Sequence, residues 1–420
     1  MARMEQGGGG GHGRGGDPER VGVWLVGGLG DVATTAVLGA GAVARGLAPT
    51  TGLVTARPPC DRLDLVPPGQ LVFGGHDVRE GTPLEAARAL AAAGVVPAGL
   101  VEPLRDHLEA YGARIRPGVT FGSGGMVREQ ESGPARQRRE SGPRAALEAI
   151  RADLRAFRAA ERLARVVVVG VASTEPRPEP LPELASEEGL SALLERGDAR
   201  LPASALYAIA AAEEGCAWVN FTPSTGSSPL GVQALFQHRG LPHMGQDGKT
   251  GQTLVRTVLA PMFLARNLDV LSWAGFNILG NRDGAVLDEP AANAAKTTGK
   301  DQVLGAILGE RLGSSLTRID YVPSLGDWKT AWDHVHFAGF LGTQMKLELS
   351  WHGCDSALAA PLLLDLARLM ELALRRGRSG LQPGLAAFFK TPLGTPVQSF
   401  PEQMAMLEAW VEELRAPVRA

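Results

Sequence analysis

The stretch "VGVWLVGGLGDVATTAVLGAGAVARG" (residues 21–46) decides the fold. A short apolar run is followed by a glycine turn and then by a small-residue helix pattern. Gly28, Gly30 and Ala33 satisfy G-x-G-x-x-A directly after the strand. Those glycines permit a tight turn and close backbone approach to a pyrophosphate, while the following helix presents unpaired amides. The same spelling also suits a strand-to-helix turn that holds no ligand. Asp31 sits at the phosphate-facing turn, where a carboxylate repels a pyrophosphate unless it turns aside to cap the helix.

Outward from this stretch, "TGLVTA" (51–56) reads as the second strand. No acid stands at its end; the nearest candidate is Asp77 in "FGGHDV", further along than the usual dinucleotide fingerprint. "PLEAARALAAAGVV" (83–96) reads as a helix, "RAALEAIRADLRAFRAAERLARVVVVGVASTEP" (144–176) as a long helix running into a strand, and "AWVNFTPS" (217–224) as a strand entering a loop. Such alternation predicts an α/β fold, a Rossmann-like doubly wound parallel sheet. Ser173 and Thr174, at a strand end, would line the crevice where such folds hold ligand. From 246 to 335 the texture changes to lysines and loops dense in Asp, Asn and Gly. The expected division is a disordered glycine-rich tail (1–19), a first Rossmann segment (20–250), an inserted mixed α/β domain (251–335), and a return to the first domain (336–420).

A net charge of −3 gives no general nucleic-acid footprint, and the run "REQESGPARQRRESGPR" (128–144), interleaving Glu with Arg, reads as a solvated loop. Cys60, Cys216 and Cys354 are odd in number and far apart, which suggests neither a disulfide framework nor a zinc site and places the chain in a reducing cytoplasm. The start has no apolar core for a signal peptide. The most apolar late segment, "ALAAPLLLDLARLMELALRRG", contains Asp365, Arg368 and Glu371, so it reads as a buried or amphipathic helix and not a membrane span. His334 and His336 form H-x-H without a third ligand in view, and no metal is expected from them.

Lysine is scarce. The chain holds six lysines, none before residue 249, against thirty-six arginines. Arg stays charged, whereas a Lys pKa falls readily on burial or beside another cation. Lys249, Lys296, Lys300, Lys329, Lys346 and Lys390 therefore read as positions where an ammonium or a free amine is required.

Several segments together resemble the inositol phosphate synthase family in its bacterial form. They are "VGVWLVGGLGDVATT" (21–35), "LVFGGHDV" (71–78), "VNFTPST" (219–225), "GQDGKTGQTLVRT" (245–257), "NILGNRDG" (277–284), "KTTGK" (296–300), "IDYVPSLGDWKTAWDHV" (319–335) and "AFFKTPLG" (387–394). They run in family order, and five of the six lysines fall inside them. The resemblance implies NAD as cofactor, a hexose phosphate substrate, a homotetramer, and a catalytic and oligomerisation role for the inserted domain.

It also implies a reaction. The open-chain sugar phosphate is oxidised at carbon 5, the carbon 6 enolate attacks a carbonyl of the same molecule, and the retained NADH reduces the ketone back. Each step develops negative charge beside a phosphate, so fixed cations in a dry cavity are needed, and one must move a proton. Through the matching motifs, Lys296 would lie at the aldol-forming carbonyl, Lys300 near the phosphate, Lys329 at the carbon 5 oxyanion and Lys390 at the acceptor carbonyl. Asn281, Asp283 and Asp333 would position lysines or sugar hydroxyls, with Asp355 as substrate contact or helix cap. Gly28, Gly30 and Ala33 would approach the pyrophosphate, Asp77 the adenosine ribose, and Asp247 and Lys249 the nicotinamide.

Asp31 and Arg282 depart from the family's usual spelling. A paralogue closing fructose 6-phosphate to a five-membered cyclitol phosphate stays open on that account. So do a plain NAD-dependent dehydrogenase and a non-catalytic NAD-binding assembly protein, although both would leave the motif lysines idle.

Overall fold

The computed structural model describes residues 19–176, 178–280 and 303–415. Asn281, Asp283, Lys296 and Lys300, and nearly all of the expected tail, lie outside the described residues.

Eleven strands are described, β1 (Val21–Val26), β2 (Leu71–Asp77), β3 (Ile115–Pro117), β4 (Arg165–Gly170), β5 (Ala217–Asn220), β6 (Pro242–Gly245), β7 (Asp269–Leu279), β8 (Ser315–Tyr321), β9 (Trp328–Ala338), β10 (Gln344–Cys354) and β11 (Gly380–Leu381). Seven of them form an all-parallel sheet ordered β11-β6-β5-β4-β1-β2-β3. The chain winds outward from β1 in one direction and from β4 in the other, leaving a crevice at their carboxyl ends where the direction switches. Alternation along β1 feeds two cores. Val21, Val23 and Leu25 pack with the helix Asp355–Arg375, whereas Trp24 and Val26 pack with the helices Pro143–Ala160 and Ala203–Glu213.

The expected helix at 83–96 forms as Pro83–Ala92 behind a Thr82–Glu85 capping box, and the expected helix running into a strand over 144–176 forms as Pro143–Ala160 followed by β4. Two expectations fail. Residues 51–56 are a turn and a short 3-10 helix, because the Asp365 carboxylate accepts the Val54 N–H at 2.7 Å and the Thr55 N–H at 3.1 Å, removing the donors a strand needs. The true second strand is "LVFGGHD". Residues 128–144 are not a solvated loop either. Glu131 is buried, accepts from the Thr120 hydroxyl at 2.5 Å and from Arg139, and anchors the helix Gly133–Glu140.

The four remaining strands form a second sheet ordered β10-β9-β7-β8, with β7 parallel to β8 and β9 antiparallel to β7 and β10. One face packs beneath the helix Gly251–Ala265 through Ala260, Phe263, Trp273 and Val335. The other is open: Phe276 pairs across the sheet with Trp332, and these two and Leu316 are 38%, 42% and 49% exposed. Because β9 and β10 carry this sheet to Cys354, the chain returns to the first core at Asp355, later than the expected 336.

Candidate active site

A cleft of about 390 Å³ lies between the two sheets, at the carboxyl ends of β1, β4 and β5. On the parallel-sheet side the chain after β1 is pinned from below: the Gly27 and Gly28 amides donate to the His76 carbonyl at 2.8 and 2.9 Å. Gly27 has φ +97°, and a Cβ there would stand 2.7 Å from the Ala172 Cα, so no other residue fits. Gly28 turns inward, its carbonyl taking the Tyr111 hydroxyl at 2.7 Å, and Ala33 is fully buried in the core. The glycines of this turn that face the cleft are therefore Gly27 and Gly30, which corrects the expected Gly28 and Ala33.

Asp31 is the first residue of the helix Asp31–Ala44 and lines the cleft without capping, since Gly30 holds the cap position. Burial pushes its carboxyl up, opposed by Arg79. Asp77 ends β2, where the dinucleotide fingerprint places its acid; the excursion through 45–70 accounts for the added sequence distance. Its carboxylate is engaged nearer home than the ribose. It accepts the Leu29 amide at 2.7 Å and the Arg79 amide at 2.9 Å, and so holds the glycine turn.

Ser173 and Thr174 line the cleft as expected, and beside them stands Glu175, which sequence reasoning missed although "VASTE" ends on it. Glu175 accepts the Ser204 amide at 2.7 Å and the Ser204 hydroxyl, and its own amide donates to Ser224 Oγ at 3.0 Å. Ser204 Oγ in turn accepts the Gly226 amide at 2.9 Å. Three segments at the rim are thus clipped together, and burial pushes Glu175 up to about 6.

The second side supplies cations. Lys329, on β9, pairs with Asp355, the first residue of its helix, so that carboxylate serves the lysine and not a cap. The Lys329 ammonium lies so close to Gly251 that a Cβ there would approach it to 2.9 Å. Lys390 donates to Asp247 Oδ1 at 2.8 Å, and its amide donates to the Asp247 carbonyl at 2.6 Å. Lys329, Asp355, Lys390 and Asp247 all line the cleft.

Two further expectations are corrected. Lys249 is 2% exposed, does not line the cleft, and points its ammonium at Gln403. Asp333 lies one layer behind. It accepts from Gln252 Nε2 at 2.8 Å, Arg256 Nε at 3.2 Å and Trp273 Nε1 at 2.7 Å. That fixes the Gln252 amide so that its oxygen accepts from Asn277 at 2.8 Å, and Gln252 and Asn277 are the groups that reach the cleft. His334 lies on the open sheet face, 3.7 Å from Glu348, and no cluster of three metal-ligating side chains occurs among the described residues.

This geometry agrees with a family model described as myo-inositol-1-phosphate synthase, which matches residues 21–412. The chain belongs to that family. It is 33% identical over 395 residues to inositol-3-phosphate synthase 1 of Bacteroides thetaiotaomicron, covering 89% of this chain and 90% of that protein. It is 35% identical over 323 residues to inositol-3-phosphate synthase 1 of Homo sapiens, covering 74% of this chain and 56% of the human protein. A myo-inositol-1-phosphate synthase-related protein from Thermotoga maritima superposes with TM-score 0.76 at 25% identity, over 94% of this chain and 98% of that one. The fold is shared with inositol-3-phosphate synthase from Caenorhabditis elegans, with TM-score 0.82 at 24% identity, over 95% and 86% of the two chains.

NAD is the cofactor of this family member. The residues fit it: no side chain fits at Gly27, and a Cβ at Gly30 would meet only the Gly27 carbonyl, so backbone can approach a pyrophosphate at the start of a helix. Ser173 and Thr174 face it across the crevice.

Proposed function

We propose that this family member is an NAD-dependent intramolecular aldol cyclase of a hexose 6-phosphate, converting D-glucose 6-phosphate to 1D-myo-inositol 3-phosphate. The observation that carries the reading is the meeting of Lys329 and Lys390, each held by a carboxylate, with a dinucleotide crevice in one cleft. The names of the relatives support it.

NAD, held by backbone at Gly27 and Gly30 and lined by Ser173 and Thr174, would supply reversible hydride transfer at carbon 5. The chain's own groups supply the rest. Lys329 stabilises the carbon 5 oxyanion, with Asp355 fixing its position. Lys390 donates a hydrogen bond, and then a proton, to the acceptor carbonyl, and Asp247 orients it. Gln252 and Asn277 offer amide groups to sugar hydroxyls, and the start of the helix Gly251–Ala265 offers backbone amides to the phosphate. Lys296, Lys300, Asp283 and Asn281 complete the proposed set by resemblance.

The working form is a cytoplasmic homotetramer in this reading, supported by the unpartnered apolar face of the second sheet. No helix among the described residues is long and apolar enough to cross a membrane. Incubation with NAD and, separately, carbon-13 glucose 6-phosphate and fructose 6-phosphate tests the assignment by NMR of the phosphorylated products. An inositol phosphate from the aldose supports it. A cyclopentane product from the ketose alone replaces it with the five-membered cyclitol reading, and net NADH accumulation replaces it with a dehydrogenase.

A further inference from the structure

Behind the cleft lies a second cavity of about 250 Å³, walled by apolar side chains including Leu254, Trp351, Leu358, Phe388 and Met404. Among the described residues, Lys249 is the one ionisable residue on its lining. Among the described residues its ammonium meets no carboxylate. It donates to Gln403 Oε1 and lies 5.8 Å from the Phe400 ring centroid. The Gln403 amide has no freedom to turn, because its nitrogen donates to the Val397 carbonyl at 2.6 Å and the side chain is fully buried. An acceptor thus faces the lysine and holds one N–H, which directs the lone pair of the neutral amine elsewhere.

We propose that Lys249 is an imine-forming site for small apolar aldehydes that enter this cavity. The amine lone pair attacks the aldehyde carbon and the carbonyl pair moves to oxygen. A proton from nitrogen follows to give the carbinolamine, and loss of one water leaves the C=N bond, with no oxidant or reductant required. The cavity has room for the apolar part, since a dry cavity of about 150 Å³ accepts benzene. Burial without a counter-charge lowers the Lys249 ammonium to about 7, so a large share is free amine at neutral pH. An ordinary surface lysine is roughly four parts in ten thousand amine under the same conditions.

The test treats the full chain with hexanal and sodium cyanoborohydride at neutral pH and maps alkylated lysines by peptide mass spectrometry. The expected result is alkylation of Lys249 at least ~10-fold faster than of Lys346, whose side chain is 66% exposed. Its rate should rise from about pH 6 to about pH 8 and then level off. The Leu358→Trp variant fills the cavity while keeping the lysine, and it should suppress the Lys249 label. Alkylation of Lys346 ahead of Lys249, or a Lys249 rate unchanged by Leu358→Trp, overturns the proposal.

Discussion

The parallel sheet buries β1 on both faces, splitting its side chains between two cores, while the second sheet covers Trp273 and Val335 and leaves Phe276, Leu316 and Trp332 in water. The first sheet is covered on both faces, and the second keeps one face open. The covered sheet carries the glycine turn and the crevice; the half-open sheet carries Lys329. The difference teaches that the cofactor cradle rests on a core packed from both sides, whereas the lysine is placed by a sheet held from one side.

That contrast can be broken or sharpened by mutation. Asp333→Ala strips the acceptor from three buried donors and breaks the buried pair with Arg256, so the second sheet should lose about 3–5 kcal/mol in urea unfolding. A loss under 1 kcal/mol would mean that the packing, not this hub, holds the sheet. Lys329→Met should lower kcat by about 10²–10³-fold while NAD binding is kept, read by steady-state kinetics and isothermal titration. Unchanged kcat would remove Lys329 from the chemistry. Trp332→Glu places a charge at the centre of the open face and should weaken assembly by about 2–4 kcal/mol, seen as a smaller mass in light scattering, with activity falling as the protein is diluted. A full-mass, full-activity variant would show that the face has no partner.

The crevice predicts a pH effect of definite sign. Burial raises the Glu175 carboxyl from 4.5 to about 6, so the folded state binds this proton more tightly than the unfolded chain. The contribution is fully present below pH 4.5 and is lost as pH rises through about 6, a change of about 2 kcal/mol. Glu175→Gln should remove that slope, measured as the difference between the two proteins' unfolding free energies across this window. A difference that does not vary with pH would show that the carboxyl is not strained by burial. The smallest effect belongs to Lys346, outside the family motifs and paired only at the surface with Glu348. Lys346→Ala should stay within about 0.5 kcal/mol of the parent with activity intact.

Legibility followed the same divide. The β1 turn was readable because an apolar run, glycines and a helix pattern are local signals. β2 was not, because Gly74 and Gly75 weaken its strand pattern; a Cβ at Gly74 would strike the Trp24 ring at 2.8 Å and one at Gly75 the Leu25 carbonyl at 2.3 Å, reasons that exist only after pairing. Residues 51–56 spelled a strand until a carboxylate some 310 positions away claimed their amides. Motif spelling brought Lys329, Lys390 and Asp247 into one cleft, yet it could not tell these from Lys249, whose neighbours Gln403 and Phe400 arrive from the far end of the chain.

The helix Asp355–Arg375 has a consequence for how the protein is made. Its Leu363, Leu366, Leu369 and Met370 complete the core under Val21, Val23 and Leu25, yet β6 is already finished at Gly245. On the ribosome, at about 5–20 residues per second, roughly a hundred residues must still be added before that helix begins, so β4 and β5, which it packs against, wait several seconds for this cover. During that interval the nascent first half presents part of an apolar sheet face beside the helix Asp31–Ala44, the kind of surface that chaperones acting during synthesis bind.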